Sequence, residues 1–303
     1  MKLNRRQFTR TCTAASVTGA FARKGFCMAG PGVRLGLNTF SLRTLPHDSA
    51  IQTILQVMKA QKLRDCQLYS GHAEPQFGPA QVAAPANGPR LPPTPQQLED
   101  RKAAAAARTE WRLSVPMTYF ENIRTTFEKE QLRITSYATS FGTSEAEIDR
   151  VFQMSKALGV ETINGRVPEA ITDLVAGAAT KHQLRVGIQV SDVKLLEQQV
   201  RTSQFLRADP DTGDLTKAKV NALMFVQEHA SNIVCIDLKD AVAGGGSVPF
   251  GEGEANLAQV LKLVDIQKLP ITTYIDCDYP GTGNSPDEVG RCVSFVRSVV
   301  PTA

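Results

Sequence analysis

The chain contains no apolar run of about 18 residues or more, which excludes a membrane-spanning helix. Cysteine is sparse and unpaired by spacing: of six, Cys12 and Cys27 fall in the first 32 residues, while Cys66, Cys235, Cys277 and Cys292 stand singly. No Cys-x-x-Cys pair and no small disulfide framework is present, so these residues read as buried small hydrophobes rather than redox centres. Only four histidines occur, His47, His72, His182 and His229, too dispersed for a histidine-based zinc site. No Gly-x-Gly-x-x-Gly turn follows the first apolar run, and Gly244-Gly245-Gly246 lacks the Gly-Lys-Ser/Thr ending of a phosphate loop. Charge of one sign is missing too. Residues 1–32 hold six basic residues and no acid, leaving 28 basic against 30 acidic residues in the remainder, a balance that gives no reason to expect nucleic acid.

What is present begins with an address. Arg5-Arg6-Gln7-Phe8 precedes a weakly apolar stretch rich in Ala, Thr and Val from Thr11 to Ala22. Paired arginines, Phe and a short apolar segment resemble a twin-arginine export signal, so a periplasmic or exported location is expected. A basic tail with no targeting role is the alternative. Residues 1–32 are therefore set apart from 33–303.

With 303 residues, 42% apolar and 21% charged, the remainder is ample for one large core. From residue 33 a unit recurs: a short apolar run, polar residues, then a helical stretch. The runs lie at 33–37, 65–69, 132–137, 161–164, 184–190, weakly at 204–207, then 233–238 and 271–276. Most are brief and rich in Val, Ile and Tyr, as strands covered on both faces should be. Helix signals fill the gaps: Ser144-Glu145-Ala146-Glu147 is a capping box with Gly159 as its stop, and Ser285-Pro286 opens the last helix. Eight alternations predict a single-domain (β/α)₈ TIM barrel, with a doubly wound open sheet as the alternative. Residues 74–99 hold seven prolines and few large apolar residues, so a surface insertion is expected after the second strand, either a lid or a passive linker into a helix over 95–109.

In such a barrel, residues at the C-terminal strand ends share one pocket. Those ends supply Gln189, Asp211, Asp237 and Asp276, and a shift of two residues in the sixth strand would bring Asp209 in instead. Three aspartates and an amide oxygen suit a hard divalent cation such as Mg²⁺ or Mn²⁺. Equally, strand-end aspartates often only cap loops or helices. Further candidates for substrate contact are His72 and Glu74 after the second strand, Arg166 after the fourth, Lys239 beside Asp237, and Glu252 beyond the glycine run. Alternation along the strand is taken to point Lys239 outward into the helix layer.

Several segments look familiar together: Arg34–Ser41, Trp111–Pro116, Tyr137–Phe141, Lys156–Val160, Asp211-Thr212-Gly213, Leu238-Lys239-Asp240, Val248–Gly253 and Tyr279–Gly283. As an ordered set from about residue 33 to 300, they resemble the sugar phosphate isomerase/epimerase group, the xylose-isomerase-like TIM barrels, and in particular its exported branch. The resemblance implies a small-molecule carbohydrate substrate and a divalent ion held by Glu, Asp, His and Glu from the fifth to eighth strands. It implies proton transfer by two metal-linked Glu residues through an enediolate. Here the pattern departs: Gln189 stands at the fifth-strand place, Asp211 keeps the sixth with Asp214 where a His follows, Asp237 replaces the His, and Asp276 shortens the last Glu, with Asp278 behind it. Gln189 cannot act as a base, and Asp276 is one methylene short. Asp276 and Gln189 are thus the expected catalytic pair, with Asp211, Asp237, Asp276 and Gln189 about the metal. The alternatives are a catalytically degenerate sugar-binding barrel, or a lyase or hydrolase acting on an oxidised sugar. A homo-oligomer is left open.

Overall fold

The computed structural model describes residues 33–78, 92–189, 192–279 and 285–301. The expected leader at 1–32, residues 79–91 of the insertion, and Pro280–Gly283 lie outside them. Eight strands run parallel: β1 Arg34–Asn38, β2 Asp65–Tyr69, β3 Arg133–Ala138, β4 Thr162–Gly165, β5 Arg185–Gln189, β6 Leu206–Asp209, β7 Cys235–Leu238 and, after a two-residue hairpin of β8 Asp240–Ala241 with β9 Ser247–Val248, β10 Thr272–Ile275. Each pairs with its sequence neighbour, and β10 joins β1 to β7. The ring closes between β6 and β7 through the parallel bridges Ala208–Ile233 and Asp211–Asp237. This is a TIM barrel, as the eightfold alternation predicts, and Pro31–Ala303 form one compact unit.

Helices surround the strands: α1 His47–Ala60, α2 Ser70–Ala73, α3 Pro95–Ser114, α4 Met117–Lys129, α5 Glu145–Leu158, α6 Thr172–His182, α7 Val193–Thr202, α8 Thr212–Lys217, α9 Ala222–His229, α10 Leu257–Ile266 and α11 Pro286–Val299. Among the described residues none is long and apolar enough to cross a membrane. α3 starts on a full capping box of Thr94 with Gln97 and runs five residues past the expected end, stopping ahead of Val115-Pro116, where proline disfavours helix. Ser144 caps α5 by accepting from the Glu147 N–H, but Glu147 does not return the bond. Its carboxylate is drawn away to Thr109 and Arg112, so only half of the expected capping box forms.

The period of two along each strand divides the molecule into two chemically different layers. Outward residues Leu35, Leu37, Cys66, Leu68, Ile163, Val186, Ile188, Ile236, Leu238 and Ile275 meet the helix stripes of Ile54, Phe127, Phe152, Val175, Val260 and Val293 in the main core. Burial of each such side chain contributes roughly 1.5–3 kcal/mol. Inward residues are mostly polar. At the N-terminal end of the strands Asp65 takes Arg34 and Arg133 at 2.7 and 2.8 Å. Above it the Tyr274 hydroxyl meets Thr135 across the barrel at 2.8 Å. The sixth strand lies two residues later than its apolar run suggests. Because the shift is even, its inward set is unchanged and now includes both Asp209 and the position of Asp211.

Candidate active site at the barrel mouth

Lys239 follows β7 and lies two residues beyond Asp237, so both point inward. The outward orientation read from alternation is therefore wrong: Asp237, not Leu238, fixes the inward phase. The Lys239 side chain is buried, and its Nζ lies 2.7 Å from Asp211 Oδ2 and 2.8 Å from Asp276 Oδ2. Burial alone would lower the ammonium's pKa, but Asp211, Asp276 and Asp214 outweigh it and hold the group well above the ordinary lysine range. The neighbouring Asp211-Thr212-Gly213 turn is built around this side chain. Thr212 Oγ1 accepts from the Lys239 N–H at 2.9 Å and donates to the Lys239 carbonyl at 2.8 Å. A Cβ on Gly213 would stand 2.7 Å from Lys239 Cγ, so only glycine lets the lysine stem pass. Asp211 also caps α8, its Oδ1 accepting from the Asp214 N–H at 2.8 Å. Capping and cluster membership, posed as alternatives by the sequence, are both true of Asp211.

Beneath lies a second polar layer. Gln67 Nε2, from β2, donates across the barrel to both oxygens of Asp237 at 3.1 Å. Asn164, from β4, donates to Asp209 Oδ2 at 2.6 Å, and the Cys235 thiol donates to Asp209 Oδ1 at 3.2 Å. Gly187 makes room for them, since a Cβ there would come within 3.1 Å of both Asn164 and the Asp209 Cβ. Burial pushes Asp209 up to about 6, with Asn164 and Cys235 opposing the rise. Burial, then Asp209 and Asp276, drives Asp237 well above the usual carboxylate range. Asp276 is likewise raised by burial to about 6, with Lys239 acting against it. Its Oδ1 is buried and has no hydrogen-bond partner among the described residues.

The remaining sequence candidates divide. Gln189 and Arg166 line one cleft at the ends of β5 and β4, with Asp192 and Gln199 of the α7 region. Gln189 is half-buried and makes no side-chain hydrogen bond to the aspartates, so the expected fourth member of the cluster stands apart from it. Glu74 is not a solvated loop residue. It is buried, forked by Arg112 at 2.8 and 3.1 Å and bonded to the Tyr137 hydroxyl at 2.6 Å. Glu252 is exposed. The work in that loop falls to Asp240, whose carboxylate accepts from the backbone N–H groups of Ala241, Gly251, Gly253 and Ala255 at 2.8–3.2 Å. Asp240→Ala strands those donors and is expected to destabilise the protein by about 2–3 kcal/mol, with the loop at 249–255 opening first to limited proteolysis.

His72 is also internal, between Thr39 Oγ1 at 3.1 Å and the Leu42 carbonyl at 3.2 Å. Burial lowers its pKa from 6.5 to about 4, only partly offset by the Leu42 carbonyl. A folded-state value below the unfolded one stabilises above pH 6.5, and that contribution is lost as pH falls through 4. Wild type is expected to lose roughly 3 kcal/mol from this group over that window. Urea titrations at pH 7 and pH 4 should show His72→Gln losing correspondingly less; equal losses in both proteins would contradict the assignment.

A divalent ion fits these residues poorly. Among the described residues, of the six oxygens of Asp211, Asp237 and Asp276 only Asp276 Oδ1 is without a partner. The space between Asp211 and Asp276 is filled by an ammonium. Among the described residues no three His, Cys, Asp or Glu side chains are arranged to share one ion. The metal set expected for Asp211, Asp237, Asp276 and Gln189 is thus not assembled, because Lys239 and Gln67 hold the carboxylates instead.

No protein-family model and no curated protein matches the sequence. Solved structures do match in fold. A xylose isomerase domain protein from Planctomyces limnophilus superposes with a TM-score of 0.61 at 13% identity, covering 89% of this chain and 98% of that one. The probable 3-DHS dehydratase AsbF of Bacillus anthracis gives 0.60 at 11% identity, over 88% and 99%. The 3-keto-D-glucoside 4-epimerase YcjR of E. coli gives 0.57 at 8% identity, over 88% and 99%. The fold is that of the xylose-isomerase-like and sugar isomerase/epimerase barrels.

Proposed function

We propose that the protein is an isomerase or epimerase of carbohydrates that moves a proton next to a carbonyl at the C-terminal mouth of its barrel. The observation that carries this reading is the pairing of a buried ammonium, Lys239, with a buried carboxylate, Asp276, whose second oxygen has no hydrogen-bond partner among the described residues. The ammonium donates to the substrate carbonyl oxygen and stabilises the enediolate. Asp276 Oδ1 removes the proton from the adjacent carbon and delivers it to the former carbonyl carbon on the same face, while the neighbouring hydroxyl proton passes to the former carbonyl oxygen, so that the carbonyl moves by one carbon. With its carboxyl near 6, Asp276 is mainly ionised at neutral pH and ready to accept.

Gln189 supplies no second base, which favours chemistry that one base completes on a single face. An aldose–ketose shift meets that requirement. So does a lyase step on an oxidised sugar, which the fold likeness to a dehydratase supports as the second reading. One buried cation stands against the buried carboxylates Asp209, Asp211, Asp237 and Asp276, so neutral sugars suit the mouth better than phosphorylated ones. Proton NMR in D₂O against a panel of neutral and phosphorylated aldoses and ketoses tests this. Deuterium entering beside the carbonyl of a neutral sugar supports it; binding without exchange points to a degenerate sugar-binding barrel. Export is proposed from Arg5-Arg6 alone. Lys for both arginines should then leave the protein in the cytoplasmic fraction.

A further inference from the structure

We infer that Lys239 is a resident cation which takes the place of a divalent ion at this mouth and makes the site metal-independent. The ammonium touches Asp211 and Asp276, carboxylates contributed from the ends of two different strands, at ion-pair distance. An ammonium has three N–H donors. Two are directed to these aspartates, and among the described residues the third has no protein acceptor, leaving it for a substrate oxygen. The site around it is constructed rather than incidental. Thr212 holds the Lys239 backbone on both sides of the peptide, Gly213 vacates the path of its stem, and Asp211 is fixed by capping α8.

The electrostatics of that place exclude a second cation. A divalent ion ligated by Asp211 Oδ2 and Asp276 Oδ2 would stand against the ammonium that already occupies both oxygens. Asp237 offers no alternative, since Gln67 Nε2 spans its two oxygens. The chemistry then changes in kind. A metal polarises a carbonyl as a Lewis acid, whereas an ammonium does so by donating a hydrogen bond and a full positive charge to the same oxygen. The inference deepens the proposed function at the same site, resting on that reading for its substrate but not for the cation itself.

The test therefore reads metal binding directly, without substrate. Purified full-length wild type, freed of metal by chelation and equilibrated with Mn²⁺, is expected to retain a substoichiometric amount by elemental analysis and to show no rise in melting temperature with Mn²⁺. Lys239→Met opens the place between the aspartates and is expected to bind Mn²⁺ at least about 100-fold more tightly than wild type, because a unit positive charge within about 4 Å has been removed. Lys239→Arg keeps that charge and should bind no more Mn²⁺ than wild type. One equivalent of Mn²⁺ on wild type, lost in Asp211→Asn, would overturn the inference. Equal Mn²⁺ binding by folded Lys239→Met and wild type would do so too, and if the Met variant does not fold, the wild-type stoichiometry decides alone. A metal-free protein with no deuterium exchange on any sugar would remove the proposed function while leaving the resident cation in place.

Discussion

Arg112→Met is expected to destabilise the barrel by about 3–5 kcal/mol, because it leaves two buried carboxylates without their counter-ion. Arg112 is 1% exposed. Its guanidinium makes five hydrogen bonds, two to Glu74 and one each to Glu147, Thr139 and the Ser140 carbonyl. Those partners belong to the segment after β2, the N-terminal turn of α5 and the end of β3, so one side chain from α3 ties three strand-end segments together. Methionine keeps much of the volume and none of the charge. The melting temperature should fall by on the order of 10 °C. Arg112→Met combined with Glu74→Gln should recover part of the loss, since the second change removes one orphaned charge. Urea denaturation of the three proteins checks both statements. A loss below about 1 kcal/mol in the single variant would mean that water reaches the carboxylates and the pair is not buried in solution.

Asp276→Asn is expected to lower the rate of deuterium exchange on the active sugar by about 100- to 10,000-fold, the range over which one general base acts. Asparagine is nearly isosteric and still accepts from Lys239, so the fold should persist and the stability change should stay small. The matched control is Asp265→Asn, in α10. That carboxylate is paired with Lys268 at 2.9 Å, and its loss should leave exchange within a fewfold of wild type. Single-turnover NMR time courses with both variants separate the two outcomes. Retained exchange in Asp276→Asn would transfer the base role to another group of the mouth.

Much of this was legible in the sequence. The eight apolar runs mark the barrel because each strand is buried on its outer face, and hydrophobic burial leaves a local trace. Asp211, Asp237 and Asp276 were findable because a strand end is a local feature too. The spacing of Lys239 from Asp237 also held a signal that the outward reading missed: residues two apart share a face, so an inward Asp237 brings Lys239 inward too. What sequence could not supply were partners set by register across the ring. Gln67 meets Asp237 over 170 positions, and Arg112 meets Glu74 over 38. Neither pairing has a spacing rule, since both depend on how the closed barrel staggers its strands. How the carboxylates are neutralised was hidden for the same reason. Three carboxylates in close proximity demand a positive charge, and sequence alone does not say that the chain provides its own.

The most direct measurement is deuterium exchange by wild-type protein at neutral pH in excess EDTA, on a neutral sugar that the screen identifies. With Lys239 as the cation and Asp276 as the base, exchange in EDTA proceeds at the rate seen without it. Exchange that EDTA abolishes and added Mn²⁺ restores would contradict the account.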